Sequence, residues 1–217
     1  MNDMIKHHLT DQLLMGYSAG ILPEAFNLAV ATHISMCDDC RASLAAFESL
    51  GGAVLDQAEH TPAAAMSDGA LQSVMARLSD DIPTTAPSPA NHDIPAPLVD
   101  YIGGGLDAVK WRNMGMGVRQ SVLKTGRTAT ARLLYIPAGC AVPDHGHQGT
   151  ELTLVLQGAF HDEHDHFAKG DIEIADQHVE HKPIADIGQD CICLAVTDAP
   201  LRFNALIPRL AQPFLGI

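Results

Sequence analysis

Residues 83–97 carry five prolines (Pro83, Pro87, Pro89, Pro95 and Pro97) and no hydrophobic period, and this break limits the possible folds more than any other feature of the chain. Proline offers no amide hydrogen to a helix or a strand ladder, so residues 86–97 are expected to form an extended linker. The apolar pattern also changes across the break, from a helical period before it to a strand period after it. Two domains follow, an all-α one over residues 1–85 and an all-β one over residues 98–217.

In the first part, Thr10 and Asp11 can cap a helix in which Leu13, Leu14 and Tyr17 recur at helical spacing, with Gly20 ending it. Pro23 and Glu24 suit the first turn of a second helix, on which Phe26, Val30, His33 and Cys37 form one stripe. A third helix is expected over residues 41–55. A fourth, capped by Ser67 and Asp68, carries Leu71, Val74, Met75, Leu78 and Ile82 on its apolar face. Beyond the prolines, residues 129–136, 151–156, 171–175 and 190–197 are short runs rich in Val, Ile, Leu and Thr. Turn signals such as Pro137-Ala138-Gly139 and Gln157-Gly158 separate them. Many short strands at regular spacing point to an antiparallel sandwich or barrel.

Charge excludes some functions. The 217 residues carry a formal net charge of −13, which argues against direct nucleic-acid binding, because phosphate contacts need clustered Lys and Arg. Through residue 85 there are 11 Asp+Glu against 3 Lys+Arg, so this part contributes −8 and suits a basic protein partner. No apolar run reaches the ~18 residues that span a bilayer, and the opening residues lack a signal-peptide core. A cytoplasmic protein without a membrane association is expected.

Two groups of side chains carry chemistry. His33, Cys37 and Cys40 spell H-x3-C-x2-C, and on one helix these positions share a face. Zinc accepts two thiolates and imidazole in tetrahedral geometry and needs a fourth ligand, for which the His7-His8 pair is the best source. A redox C-x2-C pair or ordinary buried thiols are the competing readings. Zinc is favoured because a helical piece this small has little core of its own. The second group lies in G-x5-H-x-H-x3-E-x6-G, running from Gly139 through His145, His147 and Glu151 to Gly158. Two histidines two apart on an extended segment point to one side, and Glu151 can add an oxygen.

The second pattern resembles the first motif of the cupin barrels, a jelly-roll-like fold. The second cupin motif aligns to Gly170 and His181, with Asp176, His178 and Ala185 replacing its Pro, second Gly and Asn. The resemblance implies His145, His147, Glu151 and His181 as ligands of zinc or another divalent transition metal, with His178 as a neighbour. The first pattern looks like the zinc-binding anti-sigma domain, and the opening His7-His8-Leu9-Thr10-Asp11 is similar to that of the ChrR-type subgroup. That resemblance implies His8, His33, Cys37 and Cys40 as zinc ligands, although spacing alone leaves His7 and His8 open.

The order of the modules, with Val142-Pro143-Asp144-His145-Gly146-His147 and the tail Arg202-Phe203-Asn204-Ala205-Leu206-Ile207-Pro208, resembles ChrR-type anti-sigma factors over nearly the whole chain. The resemblance implies that the helical domain binds and inhibits an extracytoplasmic-function sigma factor. It also implies that the cupin domain is needed for release under oxidative stress, from singlet oxygen or organic hydroperoxides. The alternative is a metal-dependent cupin enzyme, a dioxygenase or isomerase, with the helices as a zinc-stabilised accessory. No general base or substrate pocket stands out in the sequence, so no catalytic residues are assigned. His161, His164 and His166 read as a solvated hairpin, and Cys191 and Cys193 as small buried side chains or a redox-sensitive pair.

Overall fold

The computed structural model describes residues 5–57, 66–78 and 93–203. Among them no helix is long and apolar enough to cross a membrane. The helices are α1 (Asp11–Ser18), α2 (Glu24–Met36), α3 (Asp38–Gln57), α4 (Ala70–Arg77) and α5 (Ala96–Ile102), followed by one 3-10 turn at Leu106–Ala108. Twelve strands follow: β1 (Arg112–Gly115), β2 (Val118–Val122), β3 (Thr130–Ile136), β4 (His145–Gly146), β5 (Glu151–Gln157), β6 (Ala159–His161), β7 (His166–Ala168), β8 (Ile172–Ala175), β9 (Glu180–His181), β10 (Ile184–Ala185), β11 (Cys191–Thr197) and β12 (Arg202–Phe203).

Local chemistry explains the helix boundaries. Thr10 caps α1, its hydroxyl accepting the Leu13 amide at 3.3 Å, and Gly20 follows with φ +68°. The α4 helix starts after Gly69 in the left-handed region, with no side-chain cap from Ser67 or Asp68, and Ile82 lies outside the described residues. Most of the expected linker also lies outside them. Its end does not run extended: Ile94 is buried, and Pro95 and Pro97 sit at the start of α5. Proline is tolerated there because first-turn amides have no intrahelical acceptor.

All strand pairs are antiparallel. The main sheet has the order β1-β2-β3-β11-β5-β8, and two three-stranded sheets, β10-β6-β7 and β12-β4-β9, complete the barrel. Period-2 alternation divides the main sheet into two buried faces. On the outer face Leu133, Leu152, Leu154, Leu194 and Val196 join Leu14, Phe26, Ala29, Val30 and Leu98 of the helices in one core. The α2 helix lies against β3, β5 and β11, with α5 beside it. On the inner face Ile136, Val155, Cys191 and Cys193 meet Val118, Phe160 and Phe167. At about 1.5–3 kcal/mol for each large side chain fully buried, the shared outer core binds the helices firmly to the sheet. Gly158 is needed where β5 turns: it has φ +70°, and a Cβ there would lie 2.6 Å from the Asp190 carbonyl oxygen.

Candidate metal centres

His33 stands in the last turn of α2, Cys37 in the corner that follows, and Cys40 in the first turn of α3. The expected single helix through all three is interrupted: Cys37 is extended (φ −115°, ψ 111°), and α3 restarts at Asp38. The break turns the thiol of Cys37 inward and places the start of α3 over it. The Cys40 amide donates to Cys37 Sγ at 3.4 Å across the first turn of α3. His8 arrives from the segment before α1. Its Nδ1 lies 3.3 Å from Cys37 Sγ and 3.6 Å from Cys40 Sγ, while His33 Nε2 lies 3.3 Å from Cys40 Sγ.

One donor atom from each of these four residues falls within 4.8 Å of the others. His33, Cys37 and Cys40 are buried, and His8 closes the exposed side. Burial, with the neighbouring His8, lowers the His33 pKa to about 4, and burial first of all pushes the Cys40 thiol up to about 11. Two sulfurs and two imidazole nitrogens converging in a buried corner fit a tetrahedral N2S2 zinc site.

His7 points elsewhere. Its Nε2 is 3.0 Å from Asp165 Oδ2, and its ring lies 4.4 Å from that of Phe167. Asp171, at the start of β8, accepts the amides of Lys6 at 2.6 Å and His7 at 2.9 Å, and the Ile172 amide donates to the His7 carbonyl at 3.3 Å. The residues just before His8 are therefore strapped to the edge of the main sheet. Gly170, with φ +93°, permits the approach, since a Cβ there would lie 2.7 Å from Ile5.

The barrel holds the second group. His145 on β4 lies opposite His181 on β9, and His147 follows β4. His181 Nε2 is 3.3 Å from both His145 Nε2 and His147 Nε2. His145 Nδ1 donates to the Pro143 carbonyl at 2.9 Å, and His181 Nδ1 donates to Glu173 at 2.9 Å and Asp162 at 3.2 Å. These bonds orient the rings of His145 and His181, while His147 Nδ1 has no hydrogen-bond partner among the described residues, and the three Nε2 atoms converge as a divalent cation needs. Burial lowers His145 and takes His147 down to about 4. Burial also opposes charge on His181, but Glu173, Glu151 and Asp162 outweigh it and raise that ring to about 9.

Glu151 is buried beside the trio but outside its tight group. It accepts the Thr153 hydroxyl at 3.1 Å and stands 3.8 Å from His147 Nδ1. His178 is exposed and away from the cluster. His161 and His166 share Asp186 across the β6–β7 hairpin, and Cys191 Sγ and Cys193 Sγ are 3.4 Å apart on the inner face of β11.

A helical module with an N2S2 corner packs on a β-barrel with a histidine trio, a two-part architecture with one candidate metal centre in each half. Residues 102–200 match the family model of the ChrR cupin-like domain. Over 214 residues the chain is 58% identical to the anti-sigma-E factor ChrR of Cereibacter sphaeroides, covering 98% of this chain and 99% of that one. The crystal structure of Rhodobacter sphaeroides SigE in complex with the anti-sigma ChrR matches with a TM-score of 0.79 and 56% identity, covering 90% of this chain and 100% of that one. The chain belongs to the ChrR family of anti-sigma factors.

Proposed function

We propose that the chain is an anti-sigma factor that binds and inhibits an extracytoplasmic-function sigma factor through its helical half, by binding and not by catalysis. The observation that carries this reading is the near full-length kinship with ChrR, whose crystal structure is a complex with SigE. The surface chemistry supports it. Leu71, Val74 and Met75 on α4 and Leu78 at its C-cap are 53–68% exposed, and Leu50, Val54 and Leu55 on α3 are 61–73% exposed, in the part of the chain that carries −8. Exposed apolar stripes rimmed by acid suit a partner with a basic, apolar groove.

In this reading residues 1–85 are the inhibitory module, 86–97 the connection and 98–217 the cupin module. Zinc held by His8, His33, Cys37 and Cys40 keeps the α2–α3 corner closed, so that α3 presents its stripe in a fixed direction. His145, His147, Glu151 and His181 hold zinc or another divalent transition metal. The cupin half is required for release under oxidative stress, from singlet oxygen or organic hydroperoxides. To act as a signal, that event must change the relative stability of the bound and free states.

The test is co-purification of the full chain with a SigE-type sigma factor, followed by competition with core RNA polymerase. Stable capture that excludes the polymerase is expected, with capture reduced at least tenfold by Val74→Asp, an exposed change that leaves the fold intact. Undiminished capture after both Val74→Asp and Cys37→Ser would remove the inhibitory role from the helical half.

A further inference from the structure

We infer that the barrel interior is a binding site for a small, mostly apolar molecule that ends in an oxygen acceptor, and that Arg132 receives that oxygen. The inference concerns the cupin half and stands whether or not the chain holds a sigma factor. A cavity of about 350 Å³ opens inside the barrel, against the inner face of the main sheet. Met114, Val118, Leu134, Ile136, Val142 and Phe160 form its apolar end. Water gains little against such walls, and hollows of this kind stay dry or take an apolar guest. At about 30 Å³ for each water in the liquid, the volume equals roughly a dozen waters, enough for a guest of about ten heavy atoms.

The other end is polar. Arg132 enters it from β3 and is only 6% exposed. Among the described residues its side chain makes one hydrogen bond, from Nη1 to Gln120 Oε1 at 3.4 Å. A guanidinium has five N–H donors and no acceptor and stays charged, so most of its donors are unspent in a site largely closed to water. The remaining donors belong to a side chain that lines the cavity, where an oxygen acceptor on a guest can take them in a charge-assisted bond. His145, His181, Glu151 and Glu173 line this end too, Glu173 accepting from His181 Nδ1 and Glu151 from Thr153. Among the described residues neither carboxylate forms an ion pair with Arg132, although the Glu151 charge acts on it. The unmet requirement at this end is therefore for an acceptor, which a carbonyl or a carboxylate supplies and an ammonium does not.

Calorimetric titration of the purified full-length protein with octanoate, 2-octanone and octylammonium tests the inference. The expected result is saturable one-site binding of at least one oxygen-bearing probe, tenfold or more tighter than octylammonium, with a negative heat-capacity change from apolar burial. Arg132→Met keeps the stem and removes the donors, so it should weaken that binding at least tenfold. Val118→Phe narrows the apolar end of the cavity from β2, away from the Arg132 side chain, whose partner on β2 is Val122, and should abolish it. The inference is overturned if neither oxygen probe saturates, if octylammonium binds equally well, or if Arg132→Met binds as the unaltered chain does. Removing metal with a chelator separates the two possible head contacts: retained binding supports Arg132, and loss of binding on chelation combined with an unaffected Arg132→Met variant refutes it.

Discussion

Replacing Asp171 with alanine should release the strap that holds the segment before His8 against the barrel. The Asp171 side chain is 3% exposed and accepts three amides, from Lys6 at 2.6 Å, His7 at 2.9 Å and Ala168 at 2.9 Å. Burial pushes its carboxyl up, but these bonds together with the His7 ring outweigh that and hold it below the usual carboxylate range. A hydrogen bond to a charged acceptor contributes about 1.5–3 kcal/mol, so three at the lower figure give about 4–5 kcal/mol. The freed amides lie in partly buried surroundings that water can enter, which recovers about half, leaving a loss of roughly 2–3 kcal/mol. If the strap opens locally, protection of the His7 and Ile172 amides against hydrogen exchange should fall by at least about 30-fold, since each 1.4 kcal/mol is tenfold. With zinc held as proposed, its transfer from the helical half to a competing chelator should accelerate in parallel, because the proposed ligand His8 directly follows the strap. Asp165→Ala is the control: Asp165 is 58% exposed and its contact with His7 is screened by solvent, so exchange at both amides and zinc transfer should stay near those of the unaltered chain. Unchanged exchange at both amides and unchanged zinc transfer in Asp171→Ala would refute the reasoning.

Cys40→Ser removes one of two sulfur donors from the corner and should weaken zinc retention by at least about 100-fold, more than loss of a partner behind a ligand costs; metal analysis after dialysis against chelator measures it. Leu154→Ala empties a position of 0% exposure in the core shared by helices and sheet, and should cost about 2.7–5 kcal/mol in urea unfolding followed by circular dichroism. Asp190 is held below the usual carboxylate range by the Tyr135 hydroxyl and the Ala138 amide. Its contribution is therefore present above the ordinary carboxylate pKa and lost as pH falls through the lower folded value. Asp190→Asn should accordingly be less stable than the unaltered chain at pH 7, with the gap closing below about pH 4.

Most of the architecture could be read from periodicity, because the strands at residues 129–136, 151–156, 171–175 and 190–197 are apolar runs bounded by turn residues, and β3, β5, β8 and β11 fall on them. The packing could not. A main sheet buried on both faces reads as a continuous apolar run, which hides which residues face the barrel. Glu173 shows the consequence: between Ile172 and Ile174 it looks like a solvent-facing strand position, yet it is buried and holds His181 Nδ1. Arg132 is the same case on β3. Proline excludes a helix interior but not a first turn, so Pro95 and Pro97 occupy the start of α5 where composition alone predicts an extended linker.

The helical cluster shows what spacing alone can and cannot supply. H-x3-C-x2-C on an unbroken helix would set three ligands in a row up one face, rising about 1.5 Å per residue, so that His33 and Cys40 would lie about 10 Å apart along the axis. A single ion with bonds of about 2.0–2.3 Å cannot bridge that rise from side chains pointing in nearly the same direction. The break at Cys37 solves the problem: it folds α3 back so that Cys40 Sγ comes within 3.3 Å of His33 Nε2. The choice between His7 and His8 has the same kind of answer. Neighbouring side chains on an extended segment point to opposite sides, and the strap directs His7 to Asp165 and Phe167, which leaves His8 facing the thiols. The motif therefore names the donors, while a helix break and a strap on the sheet edge, neither of which has a sequence signature of its own, bring them to one point.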